Sequence, residues 1–393
     1  MRSTPFGLDL LQKALPPSGN FFISPFSIWS ALVLAYFGSR GKTKAELEQV
    51  LRLTNKEDTL ALFRALERRY DSQEANQNYT INSANRIYVD QSIPVRECVG
   101  KVLDDKLKLI DFNRLKPRAQ CESLPYKRAD LFSRLTLILS NRDKPSVVII
   151  SSTVLLPIKR AFEVLYLELV VPDAAAADIN AFVNAETRGK IPKLIEPSSL
   201  EDAKMVLTNA VYFKGFWKYP FKPQRTHKEK FFVTPEESVQ VDMMTQTGRF
   251  KYVDSEKLHA QVLEMPYRGD AVSMVVLLPR SERAKEVDRL VRRLRPRRLV
   301  SVLKAMPSVP LIVKFPKISV ESTLGMNSFR AIHKALIEVD EEGAEAAAAT
   351  VLVITNRSSM TPKTTFTCNR PFVFYIKDNE ANNILFMGVY RGP

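Results

Sequence analysis

The chain has 393 residues, of which 45% are apolar and 26% are charged, the composition of a soluble globular protein that can bury a large core. Lysine and arginine outnumber aspartate and glutamate by 58 to 43, and the net charge of +15 favours polyanionic partners without choosing between nucleic acid, sulfated sugar and acidic membrane. The three cysteines, Cys98, Cys121 and Cys368, are few and widely spaced, which argues against a disulfide scaffold and a zinc site.

No signal peptide is visible at the start of the chain. Met1 leads almost directly into the amphipathic segment 6–11, without an apolar core region. The longest apolar tracts, 147–156 and 164–171, are too short to cross a bilayer. The sequence therefore predicts no membrane-spanning segment.

The first quarter of the chain alternates predicted helices with short strands. Ser27 is placed to cap an apolar helix, and Thr43-Lys44-Ala45-Glu46 has the pattern of a capping box that opens the next one. In chain order we expect a helix, a buried strand, three helices and an alternating strand, at residues 5–15, 20–27, 28–37, 43–51, 55–70 and 80–90.

The composition and periodicity of the sequence change between residues 113 and 165. Basic residues crowd into its first part, and the apolar runs that follow match neither the helical nor the strand period. We interpret 113–165 as an inserted segment.

Regular periodicity returns after residue 174. A helix at 178–184 precedes a central-strand candidate at 205–213, and a basic helix at 282–303 should break at Pro296. Further strands are predicted at residues 231–241, 250–253, 261–265, 272–278, 311–315 and 317–321. Serial strands joined by short Pro/Gly turns predict antiparallel sheets.

Catalytic motifs are absent from the sequence. The chain has three histidines, His227, His259 and His333, and it contains no GxSxG elbow, Walker loop, HExxH motif or dinucleotide fingerprint. A lone histidine in a strand is more often a core residue than a catalyst, although a triad assembled from distant residues stays open. We predict a protein that is not an enzyme and that uses no metal or cofactor.

The stretch Glu341–Ser359 has two parts of different composition. Every position of 344–349 except Glu345 is alanine, and the part that begins at Thr350 is rich in β-branched residues. It can form a short helix that leads into a strand. The alternative is a segment that is first a loop and then a strand, because small side chains can enter between strands that are already paired.

Five motifs, taken in order, point to one family. They are Asn20–Ile28, Leu207–Trp217, Ile332–Ala335, Glu341–Gly343 with the alanines that follow, and Phe366–Ile376. Together they resemble the serpins over most of the chain. The resemblance implies one α+β domain over residues 1–393, with the serpin fold of three β-sheets, eight to nine helices and an exposed reactive-centre loop at 341–362.

The same resemblance assigns roles to individual residues. It implies a hydrogen-bonded "shutter", beneath the strands that must separate, at Ser24, Ser27, Asn209 and His333. It places Trp217 at the "breach", where insertion of the loop begins. It places the hinge of the loop at Glu341, Gly343, Ala344, Ala346, Ala347, Ala348 and Ala349.

The reactive bond follows from counting along the loop. In inhibitory serpins the cut follows the seventeenth residue from the first hinge glutamate, which puts Arg357 before the bond and Ser358 after it. A trypsin-like protease needs a basic side chain for its acidic pocket, and Arg357 is the only one between Glu341 and Lys363. We expect a suicide substrate of trypsin-like serine proteases. The alternative is a non-inhibitory or defective serpin, a carrier or chaperone that is cleaved as a plain substrate.

Two features depart from the family pattern. The segment 113–165 has no counterpart in serpins, and a helix common to the family is missing near 321–330. One hypothesis is an imperfect gene model with a retained non-coding stretch, a skipped exon and a lost first exon, which the transcript sequence would test. A lost first exon would account for the missing signal peptide, so we expect an extracellular protein, with the cytoplasm as the alternative.

A heparin-like sulfated polysaccharide is the polyanion we expect, with a merely basic surface as the alternative. Its predicted contacts are Arg64, Arg68, Arg69, Arg289, Arg292 and Arg293. Asn78 begins a glycosylation acceptor pattern. We expect a monomer that binds neither nucleic acid nor membrane.

Overall fold

The computed structural model describes residues 3–71, 78–112, 173–200, 203–283, 285–326, 331–341 and 364–393. Eight α-helices lie within them: α1 Ser3–Ala14, α2 Pro25–Gly38, α3 Gly41–Leu51, α4 Lys56–Asp71, α5 Glu97–Leu103, α6 Asp173–Glu186, α7 Glu286–Arg293 and α8 Pro296–Lys304. The strands are β1 Phe21–Ile23, β2 Tyr79–Asp90, β3 Leu107–Ile110, β4 Met205–Gly215, β5 His227–Phe232, β6 Ser238–Ser255, β7 Ala260–Pro266, β8 Val272–Pro279, β9 Ser308–Pro316, β10 Ile318–Met326, β11 Ala331–Val339, β12 Thr365–Thr367, β13 Phe372–Asp378 and β14 Asn383–Tyr390.

The described strands form two hydrogen-bonded sheets. The central sheet has the order β10-β11-β4-β2-β3, and a nine-stranded sheet follows the path β1-β14-β13-β8-β7-β6-β9-β12, with β5 paired to β6. Three sheets are expected from the resemblance. Here β6 joins two of them, because its 18 residues pair with β5 near the start, β9 in the middle and β7 at the end. The α+β class is confirmed.

Most strand pairs are antiparallel, as predicted, but β4 runs parallel to β11, β2 to β3 and β9 to β12. The pair β4–β11 lies in the middle of the central sheet. The chain forms β5 to β10 between these two strands, so no turn joins them directly. Their ladder and the side chains around it hold them together.

Helices cover both faces of the central sheet. Ten of the fourteen residues of α2 are buried, and this helix packs against β2, β4 and β14. Beneath the sheet, Phe22 of β1 stacks between Phe374 and Phe386, with ring centroids 5.7 and 5.4 Å away. On the opposite face, Val183 of α6 packs with small residues of β2 and β4.

Two predicted helix starts are wrong. The cap of α2 is Ser24 and not Ser27, because the side chain of Ser24 accepts a hydrogen bond from the N–H of Ser27. Pro25 then occupies the first turn, where its missing N–H removes no helical hydrogen bond. Helix α3 begins at Gly41 after Arg40, which makes no side-chain cap hydrogen bond, so the capping box does not form.

The strand predicted at 231–241 is also wrong, because this segment spans a hairpin. Strand β5 ends at Phe232 and β6 begins at Ser238, and the turn between them contains Pro235, which has no N–H for a ladder. The basic helix breaks at Pro296, as expected, and this proline lies in the first turn of α8.

In the region 321–330, where a helix is predicted to be missing, strand β10 continues to Met326, and β11 begins at Ala331. Met326 of β10 and Ala331 of β11 are paired directly across an antiparallel ladder. The segment 113–165 lies entirely outside the described residues, and no structure is assigned to it. In the part of the chain that the structure describes, no helix is both long and apolar enough to span a membrane.

Candidate functional site: a seam between two parallel strands

The centre of the candidate site is the boundary between the parallel strands β4 and β11, which we call the seam. Its register places His333 opposite Asn209, and both side chains are buried on the face that packs against α2. Alternation along a strand puts the odd-numbered residues of β4 and β11 on this inner face and the even-numbered ones on the outer face. Strand β11 ends at Val339, and the chain reaches Glu341 two residues later. The predicted hinge therefore begins two residues past the end of the seam.

On the inner face, one hydrogen-bond network joins α2 to the strands. Nδ1 of His333 bonds to Oδ1 of Asn209. Nδ2 of Asn209 donates to the carbonyl oxygen and Oγ of Ser27 at 3.0 and 2.6 Å. Nε2 of His333 accepts the N–H of Ser24 at 3.1 Å. The structure thus brings the four predicted shutter residues together.

The network fixes the protonation state of His333. Because Nε2 accepts the hydrogen bond from Ser24, the proton of the neutral ring is on Nδ1, which donates it to Asn209. Complete burial lowers the pKa of His333 to about 3, since a charged ring would be desolvated. The ring is therefore neutral in the folded protein near pH 7.

We expect His333 to make the protein less stable in mild acid. The unfolded chain binds a proton near the ordinary pKa of 6.5, whereas the folded chain does so only near pH 3. The contribution to stability is thus complete above pH 6.5 and is lost progressively as the pH falls toward 3. Between pH 7.5 and 5.0, this residue should lower the free energy of unfolding, measured with urea, by about 2 kcal/mol.

The control for this prediction is an exposed histidine. His333→Gln should remove most of the pH dependence over this range, and His259→Gln, which changes an exposed histidine, is compared with it. Equal pH dependence in the two variants would contradict the role assigned to His333.

Sequence reasoning missed the partners that complete the network. The hydroxyl of Ser27 lies 3.3 Å from Oγ of Ser83 and donates to Oδ1 of Asn85 at 3.2 Å. Asn85 is in register with Asn209 and bonds to it. Ser322 of β10 accepts a backbone hydrogen bond from β1 at 2.9 Å. The available signal was the spacing of Ser83 and Asn85, which places both on one face of a predicted strand.

At the exit of the seam, Trp217 is buried against the chain that leaves β11. Its Nε1 donates to the carbonyl oxygen of Asp340 at 3.0 Å. Its ring stacks on Tyr267, with centroids 4.4 Å apart and planes at 8°. Next to it, Phe221 donates its N–H to the carbonyl oxygen of Glu341 at 2.8 Å. The predicted breach residue therefore contacts the residue just before the hinge.

The carboxylate of Glu341 is held by two side chains. Lys317 pairs with Oε2 at 2.8 Å, and the hydroxyl of Thr226 donates to Oε1 at 2.8 Å. Burial raises the pKa of Glu341, but the hydrogen bonds from Lys317 and Thr226 outweigh burial and lower the pKa overall. The first hinge residue is thus an anchored, ionised carboxylate.

Loss of this anchor should destabilise the protein. Glu341→Ala should lower the free energy of unfolding in urea by about 1–2 kcal/mol, because it removes two charge-assisted hydrogen bonds from a largely buried site. Glu321→Ala is the matched control, since Glu321 pairs with Lys334 at 2.7 Å and is about half exposed; it should cost less than about 0.5 kcal/mol. Equal losses would contradict the anchor.

The other predicted loop residues lie outside the described residues. These are Gly343, Ala344, Ala346, Ala347, Ala348, Ala349, Arg357 and Ser358. Asn78 lies just before β2 and is half-buried. Its carbonyl oxygen accepts the N–H of Phe216 at 3.0 Å, and its glycosylation stays a prediction.

The arginines predicted to bind a polyanion are divided between two elements. On α4, Arg64 and Arg68 are exposed. Arg69 instead donates to the buried carboxylate of Asp378 at 2.8 and 3.1 Å, and to Glu380 at 2.9 Å. These bonds tie α4 to the end of β13 and already pair the guanidinium of Arg69, and its contact with a polyanion stays a prediction.

The second group of arginines is exposed on α7. Arg289 and Arg293 pair with Glu286 at 3.0 and 3.6 Å, and Arg292 is exposed beside them. Three further exposed arginines extend this surface into α8: Arg295, Arg297 and Arg298. The surface of α7 and α8 therefore carries more exposed arginines than the predicted residues of α4.

Comparison with known proteins identifies the family. The model of the family "Serpin (serine protease inhibitor)" matches residues 1–121, 160–329 and 326–393. The chain belongs to the serpin family. The match leaves out 122–159, which lies within the predicted insertion, and its last two segments overlap at 326–329, at the connection from β10 to β11.

Relatives and solved structures support this assignment over the whole chain. The leukocyte elastase inhibitor of Homo sapiens is 30% identical, with 100% of this chain and 98% of the relative covered. Antithrombin-III of Ovis aries is 29% identical, with 95% and 76% covered. The structure of Serpin48 of the insect Tenebrio molitor gives a TM-score of 0.68 at 25% identity, with 100% and 96% covered. Uncleaved ovalbumin shares the fold with a TM-score of 0.73 at 21% identity, with 100% and 99% covered.

Proposed function

We propose that this serpin is a suicide-substrate inhibitor of trypsin-like serine proteases that is cleaved between Arg357 and Ser358. The observation that carries the proposal is the parallel seam of β4 and β11, with Glu341 at its end. A strand that turns back from Glu341 into the seam would run antiparallel to both neighbours. One parallel ladder would become two antiparallel ladders, which are slightly more stable per residue.

The composition of the hinge supports its entry into the seam. Alternate side chains of a strand point to opposite faces. The even-numbered residues of 344–350 are all alanine or threonine, whereas Glu345 belongs to the other face. One face can therefore be buried without placing a charge in the core, while Glu345 stays in solvent.

The identity of Arg357 supports the trypsin-like class of target. An acidic specificity pocket accepts an arginine side chain as a charge-paired group. The human relative is named for leukocyte elastase, so similarity supports a serine-protease target in general, and Arg357 supports the particular class. Extracellular action and the monomeric state stay predictions.

Incubation with an equal amount of trypsin tests the proposal. We expect a covalent complex that survives boiling in detergent, because the acyl-enzyme ester to Arg357 persists once the protease has been distorted. The alternative function, a serpin cleaved as a plain substrate, predicts cleavage after Arg357 and release of active trypsin. Clean cleavage without a complex would contradict inhibition.

A second candidate function is the binding of a heparin-like polyanion, which the exposed arginines of α7 and α8 support. Retention on heparin should fall steeply with salt, because binding of arginines to the sulfate groups of heparin releases counterions. Arg292→Ala/Arg293→Ala should elute at clearly lower salt than the wild type. Arg64→Ala/Arg68→Ala, with the same loss of charge from α4, should change the elution less. Equal shifts would indicate a merely basic surface.

A further inference from the structure

On the outer face of the seam, three side chains connect β4 to β11. Nζ of Lys190 lies 2.9 Å from Oε2 of Glu338, and the hydroxyl of Tyr212 donates to the same oxygen at 3.3 Å. The Lys190 ammonium also lies 5.4 Å from the ring centroid of Tyr212. Tyr212 belongs to β4 and Glu338 to β11, so this group, the seam clasp, spans the two parallel strands.

The seam clasp lies at the end of the seam where the chain leaves β11. Tyr212 is paired with Leu336, and Glu338 is two residues further along β11, on the same face. The inner-face pair His333–Asn209 lies on the opposite face, about 10 Å back along β4 from Tyr212 and about 17 Å back along β11 from Glu338. The two contacts therefore hold different faces and different ends of one seam.

Lys190 is presented by a rigid turn after α6. Gly189 has a φ of +79°, a left-handed conformation that favours glycine. The buried hydroxyl of Thr187 donates to the carbonyl oxygen of Val183 at 2.7 Å and accepts the N–H of Ile191 at 3.1 Å. The turn thus fixes the backbone on both sides of Lys190.

The segment that carries Lys190 is itself attached to the sheet on both sides of the seam. On one side, the guanidinium of Arg86 in β2 lies 3.6 Å from the ring centroid of Phe182 in α6. On the other side, Lys334 of β11 donates to the carbonyl oxygen of Lys193 at 3.2 Å. Lys190 therefore extends from a segment that already crosses the seam.

We propose that Lys190, Tyr212 and Glu338 hold β4 and β11 together and so set the rate at which the seam opens. Neighbouring strands are about 4.8 Å apart, so a strand between β4 and β11 would roughly double their separation. The bond from Tyr212 to Glu338 cannot survive that change. The consequence for inhibition rests on the proposed function, because a slowly opening seam gives the protease time to complete hydrolysis.

Hydrogen exchange of the uncleaved protein tests the clasp without any protease. In Lys190→Ala and Glu338→Gln, amides near 211–214 and 336–339 should exchange about threefold faster than in the wild type. Tyr212→Phe, which keeps the ring, should have a smaller effect. The difference should shrink at 1 M NaCl, because the pair is partly exposed and screened by salt.

Lys193→Ala is the matched control. Lys193 lies on the same segment and pairs with Glu196 at 2.7 Å, but this pair does not cross the seam. Its loss should leave the seam amides unchanged. The proposal would be overturned if the seam amides of the Lys190 and Glu338 variants exchanged at the wild-type rate, or if Lys193→Ala increased their exchange rate equally.

A second measurement separates the clasp from the proposed function. The moles of protein consumed per mole of trypsin inhibited should fall in Lys190→Ala, because faster insertion leaves less time for hydrolysis. If wild-type protein forms no complex with trypsin, the proposed function fails while the exchange result still decides the clasp. If the complex forms but the exchange rates do not change, the clasp fails while the proposed function stands.

Discussion

Arg357→Ala is expected to abolish the detergent-stable complex with trypsin. The acidic pocket of a trypsin-like protease then loses its charged partner, and the rate of complex formation should fall by about 10³-fold or more. The rate is measured by following residual trypsin activity over time with the variant in excess. No other basic residue lies between Glu341 and Lys363, so no neighbouring bond can replace the lost one.

The control for this prediction keeps the charge. Arg357→Lys should still form the complex, because trypsin-like pockets accept lysine as well as arginine. A complex of unchanged rate with Arg357→Ala, or loss of the complex with both variants, would show that Arg357 is not the residue that trypsin recognises.

A charge on the buried face of the hinge is expected to convert the inhibitor into a substrate. Ala346→Glu would carry a carboxylate between β4 and β11 during insertion, where desolvation costs several kcal/mol. The protease would then complete hydrolysis before the strand is in place. The moles of protein consumed per mole of trypsin inhibited should rise at least about tenfold, while cleavage after Arg357 continues at its normal rate.

The neighbouring position provides the matched control. Ala347→Glu adds the same charge to the same segment, but in an inserted strand alternation would direct it to the same face as Glu345, away from the core. Its stoichiometry with trypsin should stay close to that of the wild type. Equal behaviour of the two variants would contradict insertion as an alternating strand.

The sequence predicted the class of fold and most elements, because apolar periodicity and turn residues are local signals. Local signals could not decide which of two neighbouring serines caps a helix. Ser24 and Ser27 both flank Pro25 at the start of α2, and only the observed hydrogen bond from the Ser27 N–H identifies Ser24 as the cap. The prediction of a single strand at 231–241 was wrong for a related reason, since both halves of this hairpin have strand propensity and the turn between them is short.

Contacts between distant segments could not be predicted from the pattern. Thr226 is 115 residues from Glu341, and Asp378 is 309 residues from Arg69; neither spacing carries a periodic signal. The sequence therefore predicted a polyanion contact for Arg69 and not its pairing with Asp378. The four shutter residues were found only because the resemblance named them together.

The central claim is that cleavage after Arg357 places the hinge between β4 and β11. Hydrogen exchange of the isolated trypsin complex, compared with the uncleaved protein, tests it most directly. We expect cleavage to give the amides of 344–356 the protection of a central strand while β4 and β11 stay protected. Exchange of 344–356 that is unchanged by cleavage, in a complex that still holds trypsin, would contradict it.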